Sequence, residues 1–410
     1  MNKIIKNLFW LALITILSFF IINYKETPFN NVVGLNPAYT AVQSNEAQKT
    51  FLEAWVDLKN EYLDPTMNQQ DWKKWQDRYI NVIQSKPDAY VAIDSMIQSL
   101  NDPYTRFLPP SEFAEQTRGI DATVQGIGVH IGAPNGKPQV IDVIEKTPAQ
   151  EAGLKAGDII LKVNAKSTSG LSLDDVAEII RGKAGTSVTL TIKRGNSILI
   201  KKVQRREIHI NNVEYKMLTP DIAYIKISSF LSQDASKEML EALSKTNASK
   251  GIIIDVRGNF GGLLQNAVII SNLFMDKGTI VSTVDRNGEK EVIKAESFMK
   301  ITNKPIILLV NGASASASEI LSGALKDNNR AILVGEKTYG KGLVQRIIEL
   351  KDGSGINVTI AKYLTPNGTD INKKGIEPNY KVAYTEKDFY QKKDPQLDKA
   401  KQLIEEEIKK

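Results

Sequence analysis

The sequence predicts a multidomain α/β protein, because three stretches of the chain follow three different patterns. From residue 207 to about 385, short apolar runs suited to buried parallel strands alternate with helical patterns, which is typical of a layered α/β core. Residues 46–118 show the helical spacing of apolar residues. Residues 119–206 instead form short strands separated by glycine-rich turns, and residues 386–410 form a charged, helical tail.

The composition fits a globular protein and excludes several classes of function. Hydrophobic residues make up 42% of the 410 residues and charged residues 24%. The absence of cysteine excludes disulfides and thiolate metal sites. Lys3, Lys6 and a Lys-rich tail contribute to the net charge of +6, and no nucleic-acid-binding motif accompanies it. We therefore predict no nucleic-acid partner, no metal and no cofactor.

The first 25 residues predict a targeting signal. Lys3 and Lys6 precede an apolar run over residues 8–22, which is long enough for a signal sequence but short for a full membrane helix. Because no small-x-small cleavage site follows, we expect an uncleaved signal anchor in the cytoplasmic membrane, with a cleaved and secreted form as the alternative. The positive residues before the run place the rest of the chain outside the cytoplasm, in the periplasm or at the cell surface.

Helices are expected over residues 51–62, 71–83 and 88–100 of the N-terminal region. The following run over residues 101–110, which reads N-D-P-Y-T-R-F-L-P-P, breaks the helical pattern. We interpret it as a structural turn.

The stretch 119–206 resembles a PDZ domain in the circularly permuted order found in bacterial proteases. The resemblance rests on the T-P-A-x-x-A-G-L-x-x-G-D run that begins at Thr147. It implies that a substrate C-terminus adds as a strand, with its carboxylate held by backbone N–H groups of the loop Gln125, Gly126, Ile127 and Gly128. Arg181 either couples the bound peptide to the rest of the protein or is a solvated arginine at a helix end.

A serine and a lysine provide the strongest chemical signal. Ser316 lies where an apolar strand over residues 306–310 gives way to a helix, so negative charge next to it would be stabilised by the helix N-terminus. The only histidines, His130 and His209, lie in runs without other chemical groups. Lys341, 25 positions after Ser316 and between two glycines, is therefore the remaining base. The alternative is that Ser314, Ser316 and Ser318 have no catalytic role and only cap the helix in a tightly packed turn of small residues.

Lysine must be desolvated to act as a base near neutral pH, because its unperturbed pKa is about 10.4. Tyr339, Leu343 and Val344 are candidate apolar walls around Lys341. Gln345 could orient the amine by a hydrogen bond without adding charge. A carboxylate in that position would instead keep the lysine protonated.

These runs resemble the carboxyl-terminal processing proteases, a tail-specific and tricorn-type family of serine–lysine endopeptidases with a PDZ domain. The resemblance covers residues 46–385 and implies a crotonase-like core over residues 207–385. It makes Ser316 the nucleophile, Lys341 the base and Gln345 the third member of a triad. The oxyanion hole would use Gly261 or Gly262, in the turn over residues 255–264, together with Ala317. Phe260 stands where the family commonly has proline.

The resemblance implies that the substrates are polypeptides with free C-termini, and it leaves a homo-oligomer open. The N-terminal region looks most like the cyanobacterial and plastid branch, whose members trim a photosystem II reaction-centre precursor, so this narrower substrate is one possibility. The chain could also be an inert PDZ scaffold. A crotonase-type thioester enzyme is the last reading, although such an enzyme would need neither the Ser–Lys pair nor a PDZ domain.

Overall fold

The computed structural model describes residues 45–120, 123–209 and 211–410. The predicted signal anchor over residues 8–22 lies outside these residues. No helix in the described part is both long and apolar enough to cross a bilayer.

The N-terminal region is helical, as the apolar spacing predicts. Its helices are α1 (Glu46–Glu61), α2 (Lys73–Tyr79), α3 (Lys86–Gln98) and α4 (Pro110–Ile120), and the short strand β1 (Arg106–Leu108) precedes α4. The helix predicted over residues 71–83 is too long: the N–H groups of Val82 and Ile83 both bond to the carbonyl of Tyr79, which turns the chain. Ser85 then caps α3 together with Asp88.

The second region, in the part that the structure describes, is a small β domain with two α-helices and one short 3-10 helix (Pro134–Gly136). It contains β2 (Thr123–Gly126), β3 (Val129–Gly132), β4 (Gln139–Val143), α5 (Pro148–Glu151), β5 (Ile159–Val163), β6 (Lys166–Ser167), α6 (Leu173–Ile180), β7 (Ser187–Arg194), β8 (Ser197–Gln204) and β9 (Arg206–His209). Strands β3, β4, β5, β7 and β8 form one sheet in that spatial order, with β6 beside β5. Strands β2 and β9 pair with each other as the chain enters and leaves the domain.

The third region is a layered α/β core. Its strands are β10 (Val213–Thr219), β11 (Ile222–Ile227), β12 (Gly251–Asp255), β13 (Thr279–Asp285), β14 (Lys290–Lys294), β15 (Ile306–Val310), β16 (Ile332–Gly335), β17 (Leu343–Glu349), β18 (Gly355–Leu364) and β19 (Tyr380–Lys381). Its helices are α7 (Ala235–Lys245), α8 (Leu264–Asn272), α9 (Ala317–Asp327), α10 (Glu386–Tyr390) and α11 (Pro395–Ile408).

One sheet of this core has the order β10-β11-β12-β15-β16-β19, and it is parallel from β11 onward. The second sheet has the order β1-β18-β13-β14, with β17 also paired to β18. Strands β12 and β15 are buried along their whole length, which explains their uninterrupted apolar sequences.

The charged composition of the C-terminal segment suggested a tail. In the structure this segment is instead part of the core. Ala400, Leu403 and Ile404 form a buried stripe on the otherwise charged helix α11 and pack against Ile307 and Leu309 of the parallel sheet. Spacing of three to four residues places this stripe on one face of the helix. Helix α11 therefore covers a sheet face that would otherwise be exposed.

The parallel sheet brings two loops together at one edge. Asp255, at the end of β12, lies beside Leu309 in the pairing of β12 with β15. Because carboxyl ends of parallel strands share an edge, the loop after β12 meets the turn before α9. The predicted glycine turn and the predicted nucleophile are thereby brought into contact.

Candidate active site

Ser316 occupies the turn between β15 and α9 in an unusual backbone conformation, with φ 53° and ψ −115°. Its side chain lines an open cleft of about 750 Å³. The neighbouring Ser314 and Ser318 are fully buried, and their hydroxyl groups donate to the carbonyls of Val256 (2.8 Å) and Asn259 (2.9 Å). Of these three serines, Ser316 is the one placed to meet a substrate.

Lys341 lies in the same cleft and is partly buried. Burial lowers the pKa of its amine, the Arg106 cation lowers it further, and Asp102 acts in the opposite direction. Its Nζ atom lies 4.8 Å from the centre of the Tyr104 ring. An amine whose pKa is lowered in this way is a more effective base near neutral pH.

A buried carboxylate connects the serine turn to the lysine loop. Glu319 accepts hydrogen bonds from the backbone N–H groups of Ser316 (3.0 Å), Gly340 (2.8 Å) and Lys341 (2.8 Å). The hydroxyl of Thr338 donates to the same carboxylate at 2.5 Å. Burial raises the pKa of Glu319, while these four donors favour its ionised form. The carboxylate therefore fixes the turn that carries the serine to the loop that carries the lysine.

A second buried group makes the same connection from the carbonyl side. The hydroxyl of Tyr363 lies 2.5 Å from the carbonyl oxygen of Lys341 and 3.2 Å from that of Ser316. Burial raises the pKa of Tyr363 well above its usual value, so the phenol stays a donor. Tyr363 and Glu319 together restrict the relative movement of the two backbones.

The glycine turn after β12 approaches the serine closely. A Cβ atom on Gly261, where φ is 101°, would lie 2.8 Å from the Cβ of Ser316 and 3.0 Å from the N atom of Ala317. The N–H of Gly261 donates to the Oδ1 atom of Asn259 at 2.8 Å. Within the described residues, the N–H groups of Gly262 and Ala317 have no acceptor. Those two groups are the donors left for an oxyanion.

Gln345 lies in β17 and lines the cleft together with Leu343 and Val344. Its side-chain amide donates to the hydroxyl of Thr359 at 3.4 Å, and in residues 211–410 no hydrogen bond joins it to Lys341. Orientation of the lysine by Gln345 stays a prediction.

Several residues of the cleft were not identified from the sequence. Tyr104 and Arg106 line it, although the run over residues 101–110 had been interpreted as a structural turn only. Tyr363 begins a Y-L-T-P-N-G run that had also been interpreted as structural. Glu319, which is buried behind the cleft, was also missed, although the sequence carries a signal for it: a carboxylate three residues after a helix cap matches a capping box.

The β domain contains a second groove, of about 480 Å³, between β3 and α6. Gly126, Ile127, Gly128 and Arg181 line this groove. The N–H groups of Ile127 and Gly128 have no acceptor in the described part of the chain, so they could bind a carboxylate. Gln125 lies in β2, where it pairs with Glu207, and it is not among the residues that line the groove. Its side chain accepts a hydrogen bond from the N–H of Ala184 at 3.2 Å, and a role of its backbone in binding the carboxylate stays a prediction.

One ion pair connects the two cavities. An Nη1 atom of Arg181, which lines the groove, lies 3.7 Å from the Oε1 atom of Glu115 in α4. Glu115 lines the cleft that holds Ser316. The histidines lie away from the cleft, His130 in β3 and His209 in β9.

Comparisons with known proteins agree with this architecture. Residues 221–382 match the model of peptidase family S41, residues 139–194 match a PDZ domain, and residues 43–85 match the tricorn protease C1 domain. The chain is 38% identical to a carboxyl-terminal-processing protease of Picosynechococcus, over 85% of this chain and 86% of that one. It is 36% identical to the chloroplastic carboxyl-terminal-processing peptidase 2 of Arabidopsis thaliana, over 82% of this chain and 68% of that one.

Among solved structures, a photosystem II D1 C-terminal processing protease is 32% identical, with a TM-score of 0.56, over 83% of this chain and 94% of that one. The similarity in fold, the match to a PDZ domain and the share of the chain that these proteins cover all point to the same family. The chain therefore belongs to peptidase family S41, as a carboxyl-terminal processing serine peptidase.

Proposed function

We propose that Ser316 and Lys341 form the catalytic pair with which this peptidase cleaves extracytoplasmic proteins near their C-termini. The observation that carries the proposal is that Ser316 and the partly buried Lys341 share one cleft, while Ser314 and Ser318 are buried and hydrogen-bonded elsewhere. An inert scaffold would not need a lysine with a lowered pKa in the same cleft as an accessible serine.

The proposed reaction follows from the roles of these groups. The neutral Lys341 amine takes the proton of the Ser316 hydroxyl as Oγ attacks the peptide carbonyl. Negative charge on the carbonyl oxygen is stabilised by the N–H groups of Gly262 and Ala317. The lysine then protonates the departing amine, and water hydrolyses the acyl-enzyme with the lysine again acting as base. Gln345 would orient the amine by turning its carbonyl oxygen toward Nζ.

The PDZ groove supplies recognition of the substrate tail. The N–H groups of Ile127 and Gly128 bind the terminal carboxylate, and the apolar wall of the groove accepts an apolar last residue. The contact between Arg181 and Glu115 offers a route from this groove to the cleft. Both side chains are largely exposed, so the pair contributes little to stability and can open when a peptide binds.

The location outside the cytoplasm rests on the N-terminal sequence. Lys3 and Lys6 before the apolar run 8–22 favour an anchor with the peptidase on the outer side of the cytoplasmic membrane. A cleaved and secreted form is the second choice.

A narrower substrate is the second candidate. The similarity to a solved photosystem II D1 C-terminal processing protease, over 94% of that chain, favours a photosystem II reaction-centre precursor. Profiling of new C-termini in cells with and without the active enzyme distinguishes the two. Cleavage restricted to that precursor would favour the second candidate, and many cleaved proteins would favour the broader function.

Replacement of single serines tests the catalytic assignment. Ser316→Ala is expected to abolish peptidase activity without unfolding the protein, whereas the matched controls Ser314→Ala and Ser318→Ala should retain activity. Activity and the thermal midpoint are measured on all three variants. Full activity in a folded Ser316→Ala protein would exclude Ser316 as the nucleophile.

A further inference from the structure

The outer face of the PDZ sheet exposes two isoleucines on its edge strand. Ile198 and Ile200 of β8 are 66% and 72% exposed, whereas Leu190 and Ile192 on the other face of the neighbouring strand β7 are fully buried. In the described part of the chain β8 pairs with β7 only, so it forms an edge of the sheet. Two large aliphatic side chains this exposed at the edge of a sheet indicate a contact with a partner.

Strand register places lysines around these isoleucines. Lys193 lies directly opposite Ile198, and Lys202 follows Ile200 by two residues on the same strand. Lys162 of β5 pairs with Thr191, which in turn pairs with Ile200. Residues that face each other across an antiparallel pair share a face, as do alternate residues of one strand. We define the basic isoleucine face as Lys162, Lys193, Ile198, Ile200 and Lys202.

The charge of this face selects the class of partner. All three lysines are exposed, and none of them forms an ion pair within the described residues. Lys and Arg also outnumber Asp and Glu between residues 123 and 209. A second copy of the chain, paired edge to edge through β8, would bring these lysines against each other, and edge lysines commonly prevent such pairing. The complementary partner is anionic and has an apolar layer beneath its charge.

We propose that the basic isoleucine face docks on an anionic lipid surface. Ile198 and Ile200 enter the boundary between headgroups and acyl chains, and the three lysines bind the headgroup charge. An N-terminal anchor would favour this weak contact by keeping the domain at high local concentration. Strand β8 lies at the opposite edge of the sheet from β3, which borders the peptide groove. Docking therefore leaves the groove open for a substrate tail.

The chain has no cysteine, so a single introduced cysteine can carry a polarity-sensitive fluorophore at one known position. The full chain with Ile200→Cys is labelled and reconstituted into phosphatidylglycerol vesicles or phosphatidylcholine vesicles of equal size. The matched control label is at Val91→Cys, because Val91 is 65% exposed but lies between Asp88 and Asp94 on α3. The N-terminal segment is present in every sample, so differences report on the labelled position.

We expect the probe at position 200 to shift to shorter wavelength on phosphatidylglycerol and not on phosphatidylcholine. Combining Lys162→Glu, Lys193→Glu and Lys202→Glu, or adding molar salt, should remove the shift. The probe at position 91 should not respond. Equal spectra on both vesicles, or an unchanged shift in the triple variant, would overturn the lipid assignment, and an acidic protein would then be the partner to test.

Peptidase activity on a soluble peptide is measured in the same samples. The triple lysine variant should keep that activity, because these lysines lie outside both the cleft and the groove. Retained activity without the fluorescence shift separates loss of docking from loss of folding. Loss of activity in Ser316→Ala, with the shift intact, separates this inference from the proposed catalytic pair.

Discussion

Ser316 and Lys341 donate their backbone N–H groups to the same atom, Oε2 of Glu319, at 3.0 and 2.8 Å. The nucleophile turn and the base loop come from different strands, β15 and β16, so their relative position is not set by the local chain. One buried oxygen atom joins them. We infer that Glu319 is a positioning residue, because it acts on the reacting side chains only through their backbones.

Glu319→Gln should lower kcat on the order of 100-fold with a smaller effect on KM, since small displacements of reacting groups have costs of this size. Glutamine has one acceptor oxygen and turns an NH2 group toward N–H donors that need an acceptor. The exposed Glu349→Gln is the matched control and should leave kcat unchanged. Equal loss of kcat in both variants, or a normal kcat in Glu319→Gln, would contradict the positioning role.

The pH dependence of activity should report the amine of Lys341. Because burial lowers its pKa, kcat/KM should rise with pH along a limb whose midpoint lies below about 10.4, the ordinary lysine value. Arg106→Gln removes a cation that lowers this pKa, so the limb should move to higher pH. Asp102→Asn removes an opposing carboxylate and should move it to lower pH.

The same lowered pKa predicts the sign of its effect on stability. Between the folded and unfolded pKa values the unfolded chain binds more protons at Lys341, so this group favours folding increasingly as pH rises. Lys341→Met removes that contribution and should flatten the alkaline part of the curve of unfolding free energy against pH.

The activity measurements provide the opposing outcome for the pH prediction. If the kcat/KM limb keeps its midpoint in both Arg106→Gln and Asp102→Asn, Lys341 is excluded as the titrating base.

The sequence predicted a functional residue where one short segment contains the pattern that identifies it. Ser316, Lys341 and the glycine turn were predicted because each lies in a short run of distinctive composition. Tyr104 and Tyr363 were not predicted, because their function depends on contacts with Lys341 made by segments far apart in the chain. The preference for Gly262 over Gly261 depends on the hydrogen bond that the N–H of Gly261 donates to the Oδ1 atom of Asn259, and no spacing pattern reveals that bond.

The charged composition of the C-terminal segment concealed its role in the core, and that role predicts a stability effect. Ile404 is fully buried between α11 and the parallel sheet. Ile404→Ala should lower the free energy of unfolding by about 2–5 kcal/mol, the range for large-to-small core replacements. Val91→Ala, at an exposed aliphatic position, is the control and should change it by less than about 0.5 kcal/mol. Denaturant unfolding of both variants measures the difference.

Recognition of the substrate tail should depend on the backbone at Gly128. This residue has φ 86°, and a Cβ atom there would lie 2.3 Å from the Cβ of Thr147, so Gly128→Ala must displace the loop that carries the carboxylate donors. A peptide with a free C-terminus should be cleaved on the order of tenfold faster than its amide by the unaltered enzyme. In Gly128→Ala that ratio should fall toward one.

Gly136→Ala is the matched control for this last prediction. Gly136 also has a positive φ, 70°, but no atom lies within 4 Å of the added Cβ, and it lies outside the groove. Any general loss of PDZ stability from a strained residue should therefore be common to both variants, whereas loss of the acid-to-amide ratio should occur only in Gly128→Ala. The rate on the amidated peptide also shows whether the PDZ domain restrains the cleft when no carboxylate is bound. If Gly128→Ala cleaves the amidated peptide faster than the unaltered enzyme does, the domain restrains the cleft through contacts such as Arg181 with Glu115. A ratio near one in the unaltered enzyme would contradict capture of the carboxylate by this loop.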